Sequence, residues 1–473
     1  MLRLTWVQPE DLLGHELRQA TEDGREPWAI AARWKAAGGP EAPDRAGSSP
    51  HRASRYLRQL AEDLLDELAD LPSRFGEDEP TDWHEILLSC GGSRPAAGRV
   101  GAGGTPPTPG RATHPRPAPT QAALEAAWLG RATGCLLGKP VEKLPLDAIR
   151  QLARAAGNWP LTTYFTAQGV PQTLLTDHPW NRRSATTSLA ENIDGMPEDD
   201  DLNYPLLNLL LLQRHGPRFT PTDVAKLWLD ELPPGRTFTA ERVAFRNLLS
   251  GIEPPHTARH RNPFREWIGA LIRADVHGWT NPGAPEAAAE QAHRDATLTH
   301  TANGVYAAMF TAATIATAAT GAHDVHACLR AGLTVIPPRS RLTKAVTHAI
   351  QLAQTHPDFD TVVDELHTTH KDLHWVHAIP NAALIAAALT HADGDFTGSI
   401  CRAVSGGWDT DSNGATAGSI AGLLTGDPTA LPARWTAPLK NRLATSVTGF
   451  DGIGFDDLAH LTWSLTHREA SRP

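Results

Sequence analysis

Two acidic strings, roughly 200 residues apart, carry the residue types best suited to chemistry. Their members are Glu198, Asp199, Asp200 and Asp201 in the first string and Asp409, Asp411 and Ser412 in the second. Crowded carboxylates repel one another, so buried ones need a positive charge nearby. If the fold brings the strings together, their oxygens suit a hard cation such as Mg²⁺, Mn²⁺ or Ca²⁺. Either string alone is equally compatible with a solvated acidic turn.

Both strings precede a predicted helix, where acidic side chains are favourable even without a ligand. That effect explains one or two carboxylates in the first string but not four in a row. The second string alternates Asp-Thr-Asp-Ser, which lets two carboxylates and a hydroxyl approach one ion from a turn. Behind it, Gly414, Gly418 and Gly422 give the helix a smooth face on which another backbone can pack closely. Such packing would hold the aspartates rigidly.

Three further places offer weaker signals. Glu142 follows a small-residue helix that Pro140 ends, and a lone glutamate there usually faces solvent. The turns at residues 281–285 and 300–304 are loop-to-helix junctions, whose backbone amides could hold a phosphate or a ribose. Neither turn matches a phosphate-loop or dinucleotide motif, and most such turns have no ligand.

Charge and cysteine spacing exclude several classes of protein. The 473 residues include 53 acidic and 43 basic ones, a net charge of −10, which argues against a nucleic-acid partner. The four cysteines are too far apart for a zinc knuckle or a disulfide framework, so we expect a cytoplasmic protein. Residues 1–11 lack a secretory pattern, and the longest apolar helix candidate, 305–319, is short for a membrane span. We therefore expect no membrane partner.

The chain divides into three parts. Residues 1–90 form a small helical extension, because leucines between Arg55 and Leu71 follow the helical period. Residues 91–120 hold seven glycines and seven prolines and predict a flexible or disordered linker. Residues 121–465 contain a succession of segments with helical spacing and few segments typical of strands. This pattern predicts a compact all-α catalytic domain. The predicted helices include Ala122–Leu137, Pro263–Ala274, Asn303–Ala319 and Thr416–Leu424.

The chemistry-bearing strings together resemble the ADP-ribosylglycohydrolase family, which includes the dinitrogenase reductase-activating glycohydrolases and the ADP-ribosylarginine and ADP-ribosylserine hydrolases. The resemblance covers most of residues 121–430. It rests on residues 134–142, the Asp199-Asp200 pair, residues 295–303 and the string Gly-Trp-Asp-Thr-Asp-Ser-Asn at 407–413. It implies an all-α globule, often monomeric, with two Mg²⁺ ions at the floor of a cleft.

The resemblance also implies roles for single residues. The metal ligands are Asp199, Asp200, Asp409, Asp411, Ser412 and either Glu198 or Asp201, which both stand where threonine is common. Asp199 or Asp200 is the base, with Glu142 as a second candidate. The residues that fall where relatives contact ADP-ribose are Asn281, Gly283, His300 and Asn303. The string at 281–286 departs from the usual Gly-rich string ending in Met-Arg, so recognition of the leaving group can differ.

The leading hypothesis is a Mg²⁺-dependent hydrolase, with Mn²⁺ as a substitute ion. It would cleave the glycosidic bond between ADP-ribose, or a related ribosyl group, and an acceptor. The acceptor is an arginine side chain of a protein or a small NAD-derived metabolite. Two alternatives stay open at this point: a non-catalytic relative that binds ADP-ribose or serves structurally, and a divalent-metal phosphohydrolase.

Overall fold

The computed structural model describes residues 3–43, 47–91 and 118–468. Within these ranges the chain forms helices and no β-strand, only three isolated bridges, which confirms the all-α prediction. The α-helices are α1 (Pro9–Glu22), α2 (Trp28–Ala36), α3 (Arg55–Ala69), α4 (Trp83–Ser89), α5 (Gln121–Gly138), α6 (Leu146–Ala155), α7 (Gln172–Asp177), α8 (Ala185–Ser188), α9 (Asp200–His215), α10 (Pro221–Glu231), α11 (Thr239–Leu249), α12 (Asp275–Trp279), α13 (Pro285–Ala296), α14 (Ala302–Ala318), α15 (Val325–Thr334), α16 (Arg341–Thr355), α17 (Phe359–Thr369), α18 (Ala378–His391), α19 (Phe396–Ser405), α20 (Thr410–Thr425), α21 (Ala433–Thr436) and α22 (Phe455–Arg468).

Short 3₁₀ helices connect several of them: Lys139–Val141, Pro234–Arg236, His256–Ala258, Ile268–Arg273, Pro428–Ala430 and Ala437–Leu439. Most of the predicted linker at 91–120 lies outside the described residues.

Helices α5 and α20 pack against each other through glycine. A Cβ at Gly130 or Gly134 would overlap the carbonyl oxygen of Gly418 or Gly414 on the facing helix. Only glycine permits so close an approach of two backbones. The contact continues to the end of α5, where a Cβ at Gly138 would meet the Thr410 carbonyl. The glycine pattern of α20 therefore sets the second acidic string directly beside the end of α5.

Two alanine-rich helices, α14 and α18, form the centre of the core. Every residue of α14 from Asn303 to Ala318 is buried, as is every residue of α18 from Ala378 to Thr390. A helix that is apolar on all sides is stable only when protein surrounds it. In the part of the chain that the structure describes, no helix is both long and apolar enough to cross a bilayer.

The N-terminal helices pack onto the main body, which the leucine pattern alone did not decide. Arg265 forms ion pairs with Glu16 of α1 at 2.7 Å and with Asp23 at 2.7 Å, and all three side chains are buried. Arg341 of α16 pairs with Glu79 at 2.7 Å. Removing one member of such a buried pair leaves an uncompensated charge. Residues 3–43 and 47–91 are thus docked by specific electrostatic contacts.

The prediction of a helix over Pro263–Ala274 is wrong for its first part. Turns run to Trp267, and a 3₁₀ helix follows from Ile268 to Arg273. The backbone here bonds to another segment, because Ile268 N donates to Val376 O at 3.0 Å. This tertiary pairing competes with the helical bonds that the local sequence favours. As a result, the buried segment forms turns and a 3₁₀ helix rather than an α-helix.

Candidate metal centre

Asp199 is the N-cap of α9. Its side chain contacts the first turn of this helix and also Lys139, the residue that follows α5. Its Oδ1 accepts a hydrogen bond from Asp201 N at 2.9 Å. Its Oδ2 forms an ion pair with Lys139 Nζ, and each side chain is only 8 % exposed. Although burial by itself raises the pKa of the Asp199 carboxyl, the Lys139 charge and hydrogen bond lower it overall. Asp199 is therefore held ionised at the start of the helix.

Asp201, two residues on, is occupied on both oxygens. Arg131 Nη2 pairs with its Oδ1 at 3.0 Å, and Ser412 Oγ donates to its Oδ2 at 3.1 Å. Arg131 also pairs with Asp275 at 2.9 Å. All of these side chains are buried. The network joins α5, α9, α12 and α20, and it fixes the two acidic strings relative to each other.

Asp409 and Asp411 lie at the first turn of α20, after a turn with positive φ at Gly407 and Trp408. Asp409 N donates to Asn381 Oδ1 at 3.2 Å, which ties this turn to α18. Both aspartates are 7 % exposed. Burial and the neighbouring carboxylates, Glu142 among them, raise the pKa of Asp409 well above its usual range and that of Asp411 to about 7.

Two groups of ligand atoms converge within metal-binding reach. Oxygens of Glu142, Asp409 and Asp411 lie within 4.8 Å of one another. A second group, Cys135, Asp199 and Asp201, is equally compact. Because Asp199, Asp409 and Asp411 line one cavity and Ser412 bonds to Asp201, both groups belong to one acidic centre.

Three carboxylates of this centre, Asp200, Asp409 and Asp411, form no ion pair with any described lysine or arginine. Burial first, and then Asp199 and Asp201, raise the pKa of Asp200 well above its usual range. Protonation is one way to relieve such crowding, and a divalent cation with oxygen ligands is the other. Ser412 suits the same cation, because its hydroxyl hydrogen goes to Asp201 and its lone pairs remain free.

Glu198 and Glu142 each have partners of their own. Glu198 pairs with Arg236 at 2.9 Å and accepts a hydrogen bond from Ser446. Glu142 pairs with Lys143 at 2.9 Å and accepts from Asn181 Nδ2 at 2.7 Å. Both glutamates are partly exposed and line the same cavity.

The acidic centre lies in a cleft of about 390 Å³. Its carboxylate lining is Glu142, Glu198, Asp199, Asp200, Glu241, Asp409 and Asp411. Its basic lining is Lys139, Lys143, Arg183 and Arg236, and its aromatic lining is Trp6, Phe238, Trp267 and Trp375. A cavity with one acidic floor, basic groups and aromatic walls is suited to a small polar molecule that carries both anionic and flat parts.

A sequence model of the ADP-ribosylglycohydrolase family matches residues 116–470. The chain belongs to this family. Membership supports a hydrolase that acts on ADP-ribose conjugates. A solved structure described as an ADP-ribosylglycohydrolase-related protein complex is similar to 73 % of this chain and 98 % of its own, with 20 % identity and a TM-score of 0.43. No curated protein matches the chain.

The family match begins at residue 116, so α1–α4 lie outside it. The acidic centre lies wholly within it. The two strings that suggested an ADP-ribosylglycohydrolase in the sequence therefore meet inside the part of the chain that the family describes.

Four residues predicted to contact ADP-ribose lie away from the cleft lining. Asn281 Nδ2 donates to His277 O at 2.8 Å, and Gly283 N donates to Ala316 O at 2.8 Å. His300 is fully buried against Thr299, with Nδ1 2.6 Å from the Thr299 hydroxyl oxygen. Asn303 donates to Glu79 at 2.8 Å and accepts from Leu342 N at 3.0 Å. Each makes contacts typical of structural residues, and their role toward substrate stays a prediction.

The sequence interpretation missed the cations that balance the centre. Lys139 and Arg131 lie in or directly after α5, whose other buried residues are apolar or small. A charged side chain in such a helix is costly to bury unless it is paired. That cost is the signal that could have identified both residues as partners of the aspartates.

Proposed function

We propose that this protein is a Mg²⁺-dependent hydrolase that releases ADP-ribose, or a related ribosyl group, from an acceptor. The acceptor class is an arginine side chain or a small NAD-derived metabolite. One observation carries the proposal: Asp200, Asp409 and Asp411, from strings far apart in sequence, share a cleft, and none of them forms an ion pair with a described residue. The family match supports the ADP-ribose specificity.

The donor set fits two Mg²⁺ ions, and Mn²⁺ could replace them. All donors are oxygens, as these hard cations require. The proposed ligands are Glu198, Asp199, Asp200, Asp409, Asp411 and Ser412. When bound, the ions would neutralise the crowded carboxylates, orient the ribose hydroxyls and lower the pKa of the attacking water. Asp201 is better suited to a supporting role, because Arg131 and Ser412 occupy both of its oxygens.

The protein's own residues would manage the proton and the developing charge. Breaking the anomeric bond builds positive charge on the ribose, which the acidic floor of the cleft stabilises. A carboxylate of Asp199 or Asp200 would accept the proton of the attacking water. Lys139 keeps Asp199 ionised for this task. Glu142, oriented by Asn181 and Lys143, is placed to act on the leaving group or as the alternative base.

A second candidate is a relative that binds ADP-ribose without cleaving it. Two of the proposed ligands already have cationic partners, since Lys139 pairs with Asp199 and Arg236 pairs with Glu198. Such pairing lessens the need for a metal and so favours this alternative. Asp200, Asp409 and Asp411 form no ion pair with a described residue, so they still need a cation and favour the metal-dependent enzyme.

Incubation of the full chain with ADP-ribosyl-arginine separates these candidates. We expect free ADP-ribose to appear in the presence of Mg²⁺ and to stop appearing with EDTA. Calorimetry with Mg²⁺ and with ADP-ribose, on the wild type and on Asp409→Ala, measures binding apart from turnover. Binding of ADP-ribose without release from any conjugate would establish the non-catalytic relative instead. Release of inorganic phosphate would indicate phosphoryl chemistry and contradict both.

A further inference from the structure

The N-terminal segment reaches into the cleft. Trp6 lies in this segment, more than a hundred residues ahead of the family match, yet it lines the same cavity as Asp199, Asp409 and Asp411. The other aromatic residues that line the cavity are Phe238, Trp267 and Trp375. One wall of the cleft is thus shared between the segment outside the family match and the main body.

Trp6 is held in place by contacts on several sides. Its ring packs edge-on against Phe264 at 5.4 Å and against Trp267 at 6.2 Å, measured between ring centroids. Its backbone N donates to Gly47 O at 2.5 Å. The preceding residue, Thr5, accepts a hydrogen bond from Arg242 of α11 at 2.5 Å. The side chain is therefore positioned by both the N-terminal segment and the main body.

The backbone of Trp6 adopts a conformation that needs support. Its φ of +64° lies in the left-handed region, which is costly for a bulky residue. Gly47 packs against the ring so closely that a Cβ there would overlap it. Despite these contacts Trp6 stays partly exposed. A large aromatic residue placed this way has a ring surface left for a ligand.

We propose that Trp6 provides a stacking surface for a planar group of the substrate, so that the segment outside the family match completes the substrate site. This inference rests on the proposed function. The acidic floor would hold the ribose, while the aromatic wall would receive a flat group attached to it. That group is either the nucleobase of ADP-ribose or a planar leaving group such as guanidinium. Trp6 is thus a specificity-determining residue, supplied from outside the family match.

Binding and kinetics of three variants test this inference. Trp6→Ala removes the ring, Trp6→Leu keeps an apolar contact with Phe264, and Trp6→Phe keeps a smaller aromatic face. Trp28→Ala is the matched control, because Trp28 lies in the same N-terminal segment and is 64 % exposed. Circular dichroism and thermal unfolding establish that each variant is folded. Trp6→Phe and Trp6→Leu decide the question if Trp6→Ala does not fold.

The two possible flat groups give different results. Stacking on the nucleobase predicts that Trp6→Leu weakens ADP-ribose binding by about fivefold or more, while ribose 5-phosphate binding is unchanged. Stacking on the leaving group predicts unchanged ADP-ribose binding and a KM for ADP-ribosyl-arginine raised by a similar factor. In both cases Trp6→Phe retains more affinity than Trp6→Leu, and Trp28→Ala matches the wild type.

Failure of this inference is distinct from failure of the proposed function. If the wild type releases ADP-ribose and all Trp6 variants keep its KM and binding constants, the aromatic wall has no part in recognition. If the wild type binds ADP-ribose without releasing it from any conjugate, and Trp6→Leu binds it more weakly, the stacking surface is confirmed and the hydrolase activity is not. A wild type that binds neither ADP-ribose nor ADP-ribosyl-arginine overturns both.

Discussion

Single residues decide how so many carboxylates coexist in this centre. Lys139 offsets Asp199, and Arg131 offsets Asp201 and Asp275, whereas Asp411 forms no ion pair among the residues described. The centre therefore contains two kinds of carboxylate. Asp201 and Asp275 support the structure through Arg131, Asp199 stays ionised beside Lys139, and Asp411 is left available to a metal ion.

Asp411→Asn removes one negative charge from the carboxylates that form no ion pair among the residues described. We expect the helical fold to remain, because Asp411 forms no ion pair that the fold depends on. Mg²⁺ affinity and ADP-ribose release should each fall by at least about 100-fold, since loss of a supporting residue already costs 10–100-fold. Calorimetry and turnover measure these effects. Asp194→Asn, at an exposed ion pair with Lys440, is the control that should behave as wild type. Global unfolding seen by circular dichroism would assign Asp411 a structural role.

Arg131→Met tests the carboxylates that form ion pairs. It leaves Asp201 and Asp275 buried without their cation, and breaking such a pair costs about 3–5 kcal/mol. The free energy of unfolding, measured with denaturant, should fall by that amount. Arg131→Lys should recover part of the loss, because one ammonium cannot reach every acceptor that the guanidinium reaches. Equal stability of wild type and Arg131→Met would mean that the two aspartates are protonated and need no partner.

At the scale of elements, the α5–α20 pair is what sets the geometry of the centre. Its glycines let two helices approach to backbone contact, and the helix ends then bring Lys139 beside Asp199 and place Asp411 nearby. Small residues on one face are common in tightly packed helix pairs. Here the close packing has a further consequence, since any separation of the helices displaces ligands from both acidic strings.

Gly134→Ala adds a methyl group that meets the Gly414 carbonyl. We expect a loss of about 1–3 kcal/mol in the free energy of unfolding, the usual cost of overpacking. Mg²⁺ affinity should fall as well, because Asp411 moves with α20. Gly235→Ala is the matched control, since a Cβ there meets nothing within 4 Å. A Gly134→Ala protein with wild-type stability and metal affinity would contradict the tight helix pair.

At the scale of the whole molecule, stability and metal binding are linked through protons. Burial, with Glu142 and Asp199, raises the pKa of Asp411 to about 7 from an ordinary value of 3.8. The folded, metal-free protein then holds a proton that the unfolded chain has released. A raised pKa stabilises the fold below the unfolded pKa, and that contribution is lost as pH rises through about 7.

Metal-free protein in EDTA should therefore lose stability as pH rises from about 5 to 8. Added Mg²⁺ should reverse this loss, because binding releases the protons and the affinity increases with pH. Thermal unfolding across this range, with and without Mg²⁺, measures both effects. Asp411→Asn cannot ionise at this position, so its metal-free stability should depend less on pH. Identical pH profiles for the two proteins would rule out Asp411 as the titrating group.

Much of the fold was predictable because it follows from local pattern. The helical period and alanine content predicted Ala122–Leu137 and Asn303–Ala319, and the structure has Gln121–Gly138 and Ala302–Ala318. The glycine helix begins earlier than predicted, at Thr410, so that Asp411 lies inside its first turn. The segment 263–274 was not predictable, since its backbone pairs with residue 376, far along the chain.

The sequence by itself determined the all-α architecture and the identity of the two acidic strings, because periodicity, glycine spacing and residue type are local properties. Only the tertiary structure decided that the strings meet, that Lys139 and Arg131 offset some carboxylates and leave others unpaired, and that Trp6 joins the cleft. These are contacts between residues up to hundreds of positions apart. They depend on how helices pack, and helix packing is set by the shape and charge of whole surfaces.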